Sequence, residues 1–223
     1  MSAGEPGHAS ALIAVAAHNS YATTFSSLRE EAAGLTINGF GITTRYNRAR
    51  RKRGGQEMDI ENLKQLLNLK PLPEEGGYYY ETYRSNEKLA RAALPARYAS
   101  DRHFGTAIYF LLTPNTFSAM HRLLSDEVYH FYMGDPVELL CLREDGAGET
   151  VTIGTDLERG MRPQCTVPHG TWQGSRLRPG GKFALLGTTM APAFDFADFE
   201  LANRAALVES YPAFAETIRQ LTR

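Results

Sequence analysis

Apolar positions at Ile60, Leu63 and Leu67 follow the three-to-four spacing of one helix face, and Asp59 stands where a cap belongs. A short amphipathic helix is therefore expected over residues 59–69. Pro71 and Pro73 end it, and Gly76-Gly77 opens an aromatic strand from Tyr78 to Arg84. Residues 86–103 are charged and alanine-rich, and read as a loop with one turn of helix. Strand-like runs then recur at 106–112, 117–122, 127–133, 137–142, 149–153, 163–167, 171–177 and 182–190. Turn signals separate them at Thr113-Pro114-Asn115, Gly134-Asp135-Pro136, Asp145 to Gly148 and Pro179-Gly180-Gly181. Many short strands with regular turns predict an all-β sandwich or barrel. Pro212 opens a last segment, with Phe214, Ile218 and Leu221 on one face, so a second helix is expected over 212–222. The expectation is one β domain over residues 58–223, its core strands at about 77–190.

Side chains alternate between the two faces of a strand, which sorts the candidates. If Glu127 points inward, so do Tyr129 and Phe131, while Val128, His130 and Tyr132 point outward. His121 shares a face with Ala119 and Leu123. The short connection Leu124-Ser125-Asp126 lets these two strands pair and brings His121 within reach of Glu127. Gln173 shares its face with Thr171 and Ser175, and Trp172 with Gly174 and Arg176.

Composition narrows the picture modestly. Hydrophobic residues make up 43% of the 223 positions, enough for a sizeable core. With 24 basic and 25 acidic residues the net charge is -1, which gives no argument for nucleic acid or an anionic membrane as partner. No apolar run approaches the roughly 20 residues of a membrane helix. Cys141 and Cys165 form no paired metal or redox motif, and read as two reduced thiols of a cytoplasmic protein. The first 57 residues differ from the rest. They are rich in Ala, Ser, Thr and Gly, then place Arg45, Arg48, Arg50, Arg51, Lys52 and Arg53 before Gly54-Gly55. A poorly structured leader is expected there. The same composition also suits an organellar targeting peptide, though Glu5, Glu30 and Glu31 weigh against it.

Two segments carry the chemistry. The first holds His121, Leu123, Glu127 and then Gly134, and the second reads Val167-Pro-His-Gly-Thr-Trp-Gln173. Their spacing resembles the two motifs of the cupin superfamily, H-x-H followed by E and G, then P-x-G-x-x-H. Leu123 and Gln173 stand where two of the imidazoles would be. Further blocks run from Glu75 to Ser85, Thr106 to Leu112 and Ala191 to Glu200. With them the chain resembles the cupin type 5 family, a family of unknown function, over about residues 58–206. The resemblance implies an RmlC-like double-stranded β-helix, or jelly roll, usually paired as a homodimer. It also implies similarity to sugar-nucleotide epimerases, without supplying a reaction.

Three readings of the site follow. In the first, His121 is a general base, Glu127 orients it and Tyr129 is the acid, as an epimerase, isomerase or lyase would need. Gln173, Arg84, Tyr80 and Trp172 would then hold a small polar, carbohydrate-like molecule. In the second, the same groups satisfy one another in a pocket that binds without catalysis. In the third, His121, Glu127 and Gln173 hold a divalent metal. Two strong ligands are few for that purpose.

Overall fold

The computed structural model describes residues 59–223, so the expected leader lies outside the described residues. Thirteen strands form in chain order. They are β1 (Lys70–Pro71), β2 (Tyr78–Arg84), β3 (Lys88–Leu89), β4 (Arg102–His103), β5 (Thr106–Leu112), β6 (Phe117–Leu123), β7 (Glu127–Gly134), β8 (Val137–Leu142), β9 (Gly148–Ile153), β10 (Gln164–Val167), β11 (Trp172–Leu177), β12 (Ala184–Met190) and β13 (Phe199–Leu201). A six-stranded sheet runs β1-β2-β5-β12-β7-β10 and a five-stranded sheet β13-β6-β11-β8-β9, while β3 and β4 pair separately. All of these named pairs are antiparallel. The two sheets face each other as the jelly roll that the sequence predicts.

The inner faces are layered. On the six-stranded sheet, Arg84, Thr106, Met190 and Glu127 stand level across four strands. Ile108, Thr188 and Tyr129 form the next row, and Phe110 and Leu186 the one beyond it. The apolar rows pack against Val137, Leu139 and Cys141 of β8, which closes one end of the barrel as a dry core. Burial pushes the Cys141 thiol up to about 12, so it is an inert core residue. The first row is polar at three of its four positions, and that end stays open.

Helices cover the outer faces. Asp59 Oδ1 accepts from the Glu61 N–H at 3.4 Å and starts α1 (Ile60–Leu66), whose Leu63 packs with Leu69, Leu111 and Leu185 on the outside of the six-stranded sheet. The expected C-terminal helix is a turn of 3-10 helix at Pro212–Phe214 followed by α3 (Ala215–Gln220). An additional helix, α2 (Arg204–Ser210), precedes it. Leu207, Tyr211, Ile218 and Leu221 then bury Met120, Leu140 and Leu142 on the outside of the five-stranded sheet.

One buried ion pair ties the long 85–103 segment to the stretch after β12. Arg102 Nε donates to Asp198 Oδ2 at 2.7 Å and Arg102 Nη2 to Asp198 Oδ1, with both side chains 2% exposed. Arg102 Nη1 also donates to the Ser100 and Asp101 carbonyls. Removing one partner leaves an uncompensated buried charge. Arg102→Ala is expected to lower the stability to urea by about 3–5 kcal/mol. The paired replacement Arg102→Met with Asp198→Leu should recover most of that loss, and equal losses in both variants would refute the account.

Candidate functional site

A cavity of about 340 Å³ opens at the polar end of the barrel. Its walls come from the turn before β2 (Leu72, Glu75), from β2 (Tyr79, Glu81, Arg84), from β5 and β12 (Thr106, Ile108, Thr188, Met190), from Leu123 and Glu127, and from Phe194, Asp195 and Phe196. Strand alternation alone would not put Glu81 and Arg84 on the same wall. The register of β2 slips between Glu81 and Tyr83, so the bulge turns Arg84 back to the inner face opposite Thr106.

Glu127 forms part of the floor. It is 7% exposed and receives the Gln173 Nε2–H at 2.7 Å, with the Thr188 side chain in the same wall. Burial raises the pKa of its carboxyl, and the nearby Glu75 adds to this, against the pull of His121, Thr188 and Gln173. Glu75 stands in the turn that leads into β2. Gly76 and Gly77 take φ of 102° and 72° there, and a Cβ on Gly76 would meet the Phe117 carbonyl at 2.5 Å. Only glycine lets the turn approach β6 so closely. The backbone of Glu75 is fixed by the Ala119 N–H, which donates to its carbonyl at 2.9 Å, and its Oε1 accepts from the Ser118 hydroxyl at 2.7 Å. The residue keeps some exposed surface, but its carboxyl is enclosed. Desolvation pushes that carboxyl up to about 7, opposed by Ser118 and Arg223.

The other expected site residues divide. His121 is 1% exposed on β6, level with Gln173, and its ring stacks on Phe199 with centroids 5.1 Å apart. Its Nδ1–H donates to the Ala119 carbonyl at 2.7 Å, so the neutral ring carries its lone pair on Nε2. Burial holds its pKa below the usual imidazole range, with Glu127 and the Ala119 carbonyl pulling the other way. The Glu127 carboxyl accepts its hydrogen bond from Gln173, so glutamine rather than histidine clamps it. Tyr129 lies in the core cluster, 1% exposed, and burial, then Glu127 and Glu75, push its phenol well above the usual range. It keeps its proton.

Arg84 lies in the wall, where its Nε and Nη2 donate to Glu81 at 2.9 and 2.7 Å and its Nη1 to the Phe194 carbonyl at 3.2 Å. Trp172 and Tyr80 are not in the wall. Trp172 follows the opposite parity from Gln173, packs with the cluster under α2 and α3, and carries the Arg122 guanidinium over its ring at 4.6 Å. Tyr80 is 41% exposed on the outer face of β2. Glu75 and Thr188 are the residues that sequence reasoning missed. Glu75 had one sequence signal, a carboxylate directly before the Gly76-Gly77 turn.

A cupin metal needs several imidazoles or carboxylates converging on one point. His121 spends Nδ1 on its own strand, Leu123 offers only carbon, and Gln173 turns its amide nitrogen toward Glu127. His130 bonds Thr189 and Gln164 on the outer face, and His169 bonds Asp126 at the surface. Among the described residues no three His, Cys, Asp or Glu side chains group to hold a metal ion. This donor set does not fit the resident metal of the superfamily.

The raised carboxyl of Glu75 has a measurable consequence. Folded, Glu75 holds its proton up to about pH 7, whereas in the unfolded chain it loses it near the ordinary 4.5. Between those values the folded state binds more protons, so its contribution to stability falls as pH rises. Relative to wild type, Glu75→Gln should gain stability across that interval, on the order of 2 kcal/mol by pH 7.5. Parallel denaturation curves from pH 4 to 8 for the two proteins measure it, and a constant difference would exclude the shift.

Comparison with known proteins places this geometry. Residues 61–202 match the family Cupin_5, described as cupin superfamily (DUF985). The chain is 29% identical over 147 residues to the uncharacterized protein YML079W of Saccharomyces cerevisiae, across 61% of this chain and 73% of that one. Among solved structures it resembles protein SO0799 from Shewanella oneidensis, at 33% identity and a TM-score of 0.65, across 74% of this chain and 98% of that one. A hypothetical protein from Leishmania major gives 34% identity and a TM-score of 0.66, across 74% and 99%. The family match takes in both motif segments, the Glu75 turn and the Phe194 rim, and on that match the chain belongs to the Cupin_5 family of the cupin superfamily.

Proposed function

We propose that the chain binds a small polar organic molecule in the cavity and moves a proton on it with the carboxyls of Glu75 and Glu127, without a metal. The observation that carries this reading is the placement of both carboxyls in the wall of one cavity, each with its pKa raised by desolvation. Desolvation favours the protonated form at both, and Glu75 adds to that at Glu127, so proton donation and acceptance are both within reach of the pair. An acid and a base then face one ligand, as an isomerase, epimerase or lyase requires. Gln173 positions Glu127, Ser118 positions Glu75, and His121 packs behind them as a neutral ring.

A second reading is binding without turnover. It is favoured by the hydrogen bonds that both carboxyls already receive, because satisfied buried groups need no catalytic explanation.

Three measurements test these statements. Ligands found by thermal shift should stabilise wild type by about 2.7 kcal/mol at a hundredfold excess over Kd, and should lose the effect when Ile108→Trp fills the cavity. Stabilisation that survives in the filled variant refutes the cavity. For a ligand with an exchangeable carbon-bound hydrogen, solvent deuterium should enter in wild type and at least about a hundredfold more slowly in Glu127→Gln. Binding with no exchange in wild type selects the second reading. Elemental mass spectrometry of untagged protein should give far less than one equivalent of iron, manganese, nickel or zinc, unchanged in His121→Ala. Stoichiometric metal that disappears in that variant would overturn the metal-independent reading.

A further inference from the structure

The hydrogen-bonding groups around the cavity are unbalanced. Four carboxyl side chains line it, Glu75, Glu81, Glu127 and Asp195, and they face one guanidinium, Arg84. That guanidinium is already committed, with two bonds to Glu81 and one to the Phe194 carbonyl. It offers little to an anionic ligand. Behind the floor, Gln173 is 1% exposed, gives its Nε2–H to Glu127, and leaves its Oε1 without a hydrogen-bond partner. A buried acceptor left in that state costs stability. Above the Glu75 pKa of about 7, the spare capacity of the cavity wall therefore consists of acceptors and negative charge.

The rest of the wall is of another kind. Ile108 and Met190 are apolar, and Phe194 stands edge-on to Phe196 with centroids 5.0 Å apart. A complementary ligand brings donors and positive charge to the carboxyls and hydrocarbon to the apolar side chains beside them. An ammonium has three donors and no acceptor, whereas a hydroxyl brings an acceptor with its single donor. Aromatic faces near the entrance also favour a cation over a neutral or anionic group.

We infer that the ligand class of this cavity is an organic amine, its ammonium held at the Glu75 and Glu127 floor and its apolar body against Ile108, Met190 and Phe194. The inference rests on the small-molecule reading above and adds the sign of the ligand's charge. Carboxylates and phosphates are excluded by the same groups that attract the amine.

A matched set of probes separates the two statements. Benzylamine, benzyl alcohol and benzoate share one ring and differ in the charge and donors of one substituent. Each is titrated into the full chain at pH 8, above the Glu75 pKa of about 7, while the Ile108 and Met190 methyl resonances are followed by NMR. Benzylamine should bind at least about tenfold more tightly than benzyl alcohol, with benzoate the weakest. In Glu127→Gln that preference should shrink toward unity. Should that variant fail to fold, Glu75→Gln reads the same ratio, and the wild-type ranking stands by itself. If benzyl alcohol or benzoate matches benzylamine at these methyls, the amine inference fails and the small-molecule reading survives. A preference for benzylamine that persists in both variants also overturns it, because its source would lie elsewhere. If none of the three shifts these methyls, both statements fail.

Discussion

A carboxyl buried between two sheets must find a hydrogen-bond donor, and Glu127 finds one on the sheet opposite. Gln173 Nε2 reaches it at 2.7 Å, while Thr188 stands beside it on the neighbouring strand of its own sheet. The Gln173 bond crosses the barrel, so it fixes the polar row of one inner face against the other. The open end depends on it. Were the row apolar, the two sheets could close there as they do around Phe110 and Leu139. Polar groups that need each other but cannot fill the space hold the barrel open around a cavity, at the cost of desolvating charge.

The replacement of an imidazole by glutamine takes on meaning from this bond. A histidine at position 173 facing Glu127 and His121 would help build a cationic site. Glutamine supplies a neutral donor instead, and leaves its oxygen unused. The local field stays negative, Glu75 adds to it from the turn, and both carboxyls rise in pKa. Two carboxyls from distant segments, the turn before β2 and the start of β7, thereby line one cavity with their acidity weakened.

The fold was legible because its signals are local. Two-residue alternation and turn residues located the nine strands from β2 onward that build most of the two sheets, nearly to the residue. The helical spacing at Ile60, Leu63 and Leu67 gave the first helix. The site was legible only where alternation held. The parity that points Gln173 inward already turns Trp172 outward, so treating both as pocket residues joined two incompatible faces. Arg84 reaches the wall through a bulge that no pattern announces. Glu75 bonds Ser118 across 43 positions, and His121 turns to a carbonyl two residues back on its own strand. Contacts of that kind are set by tertiary approach, and residue spacing carries no record of them.

The floor and the rim of the cavity have different architecture. The floor side chains Glu127 and Thr188 stand on long strands in the interior of the six-stranded sheet, each paired on both sides. The rim residue Phe194 is held by Arg84, 110 positions away, and by its N–H to the Thr106 hydroxyl at 3.0 Å. Under the proposed binding role, substitutions along the rim would alter how quickly a guest enters and leaves while the floor stays in place. Residence time and selectivity would then be separately adjustable quantities in this barrel.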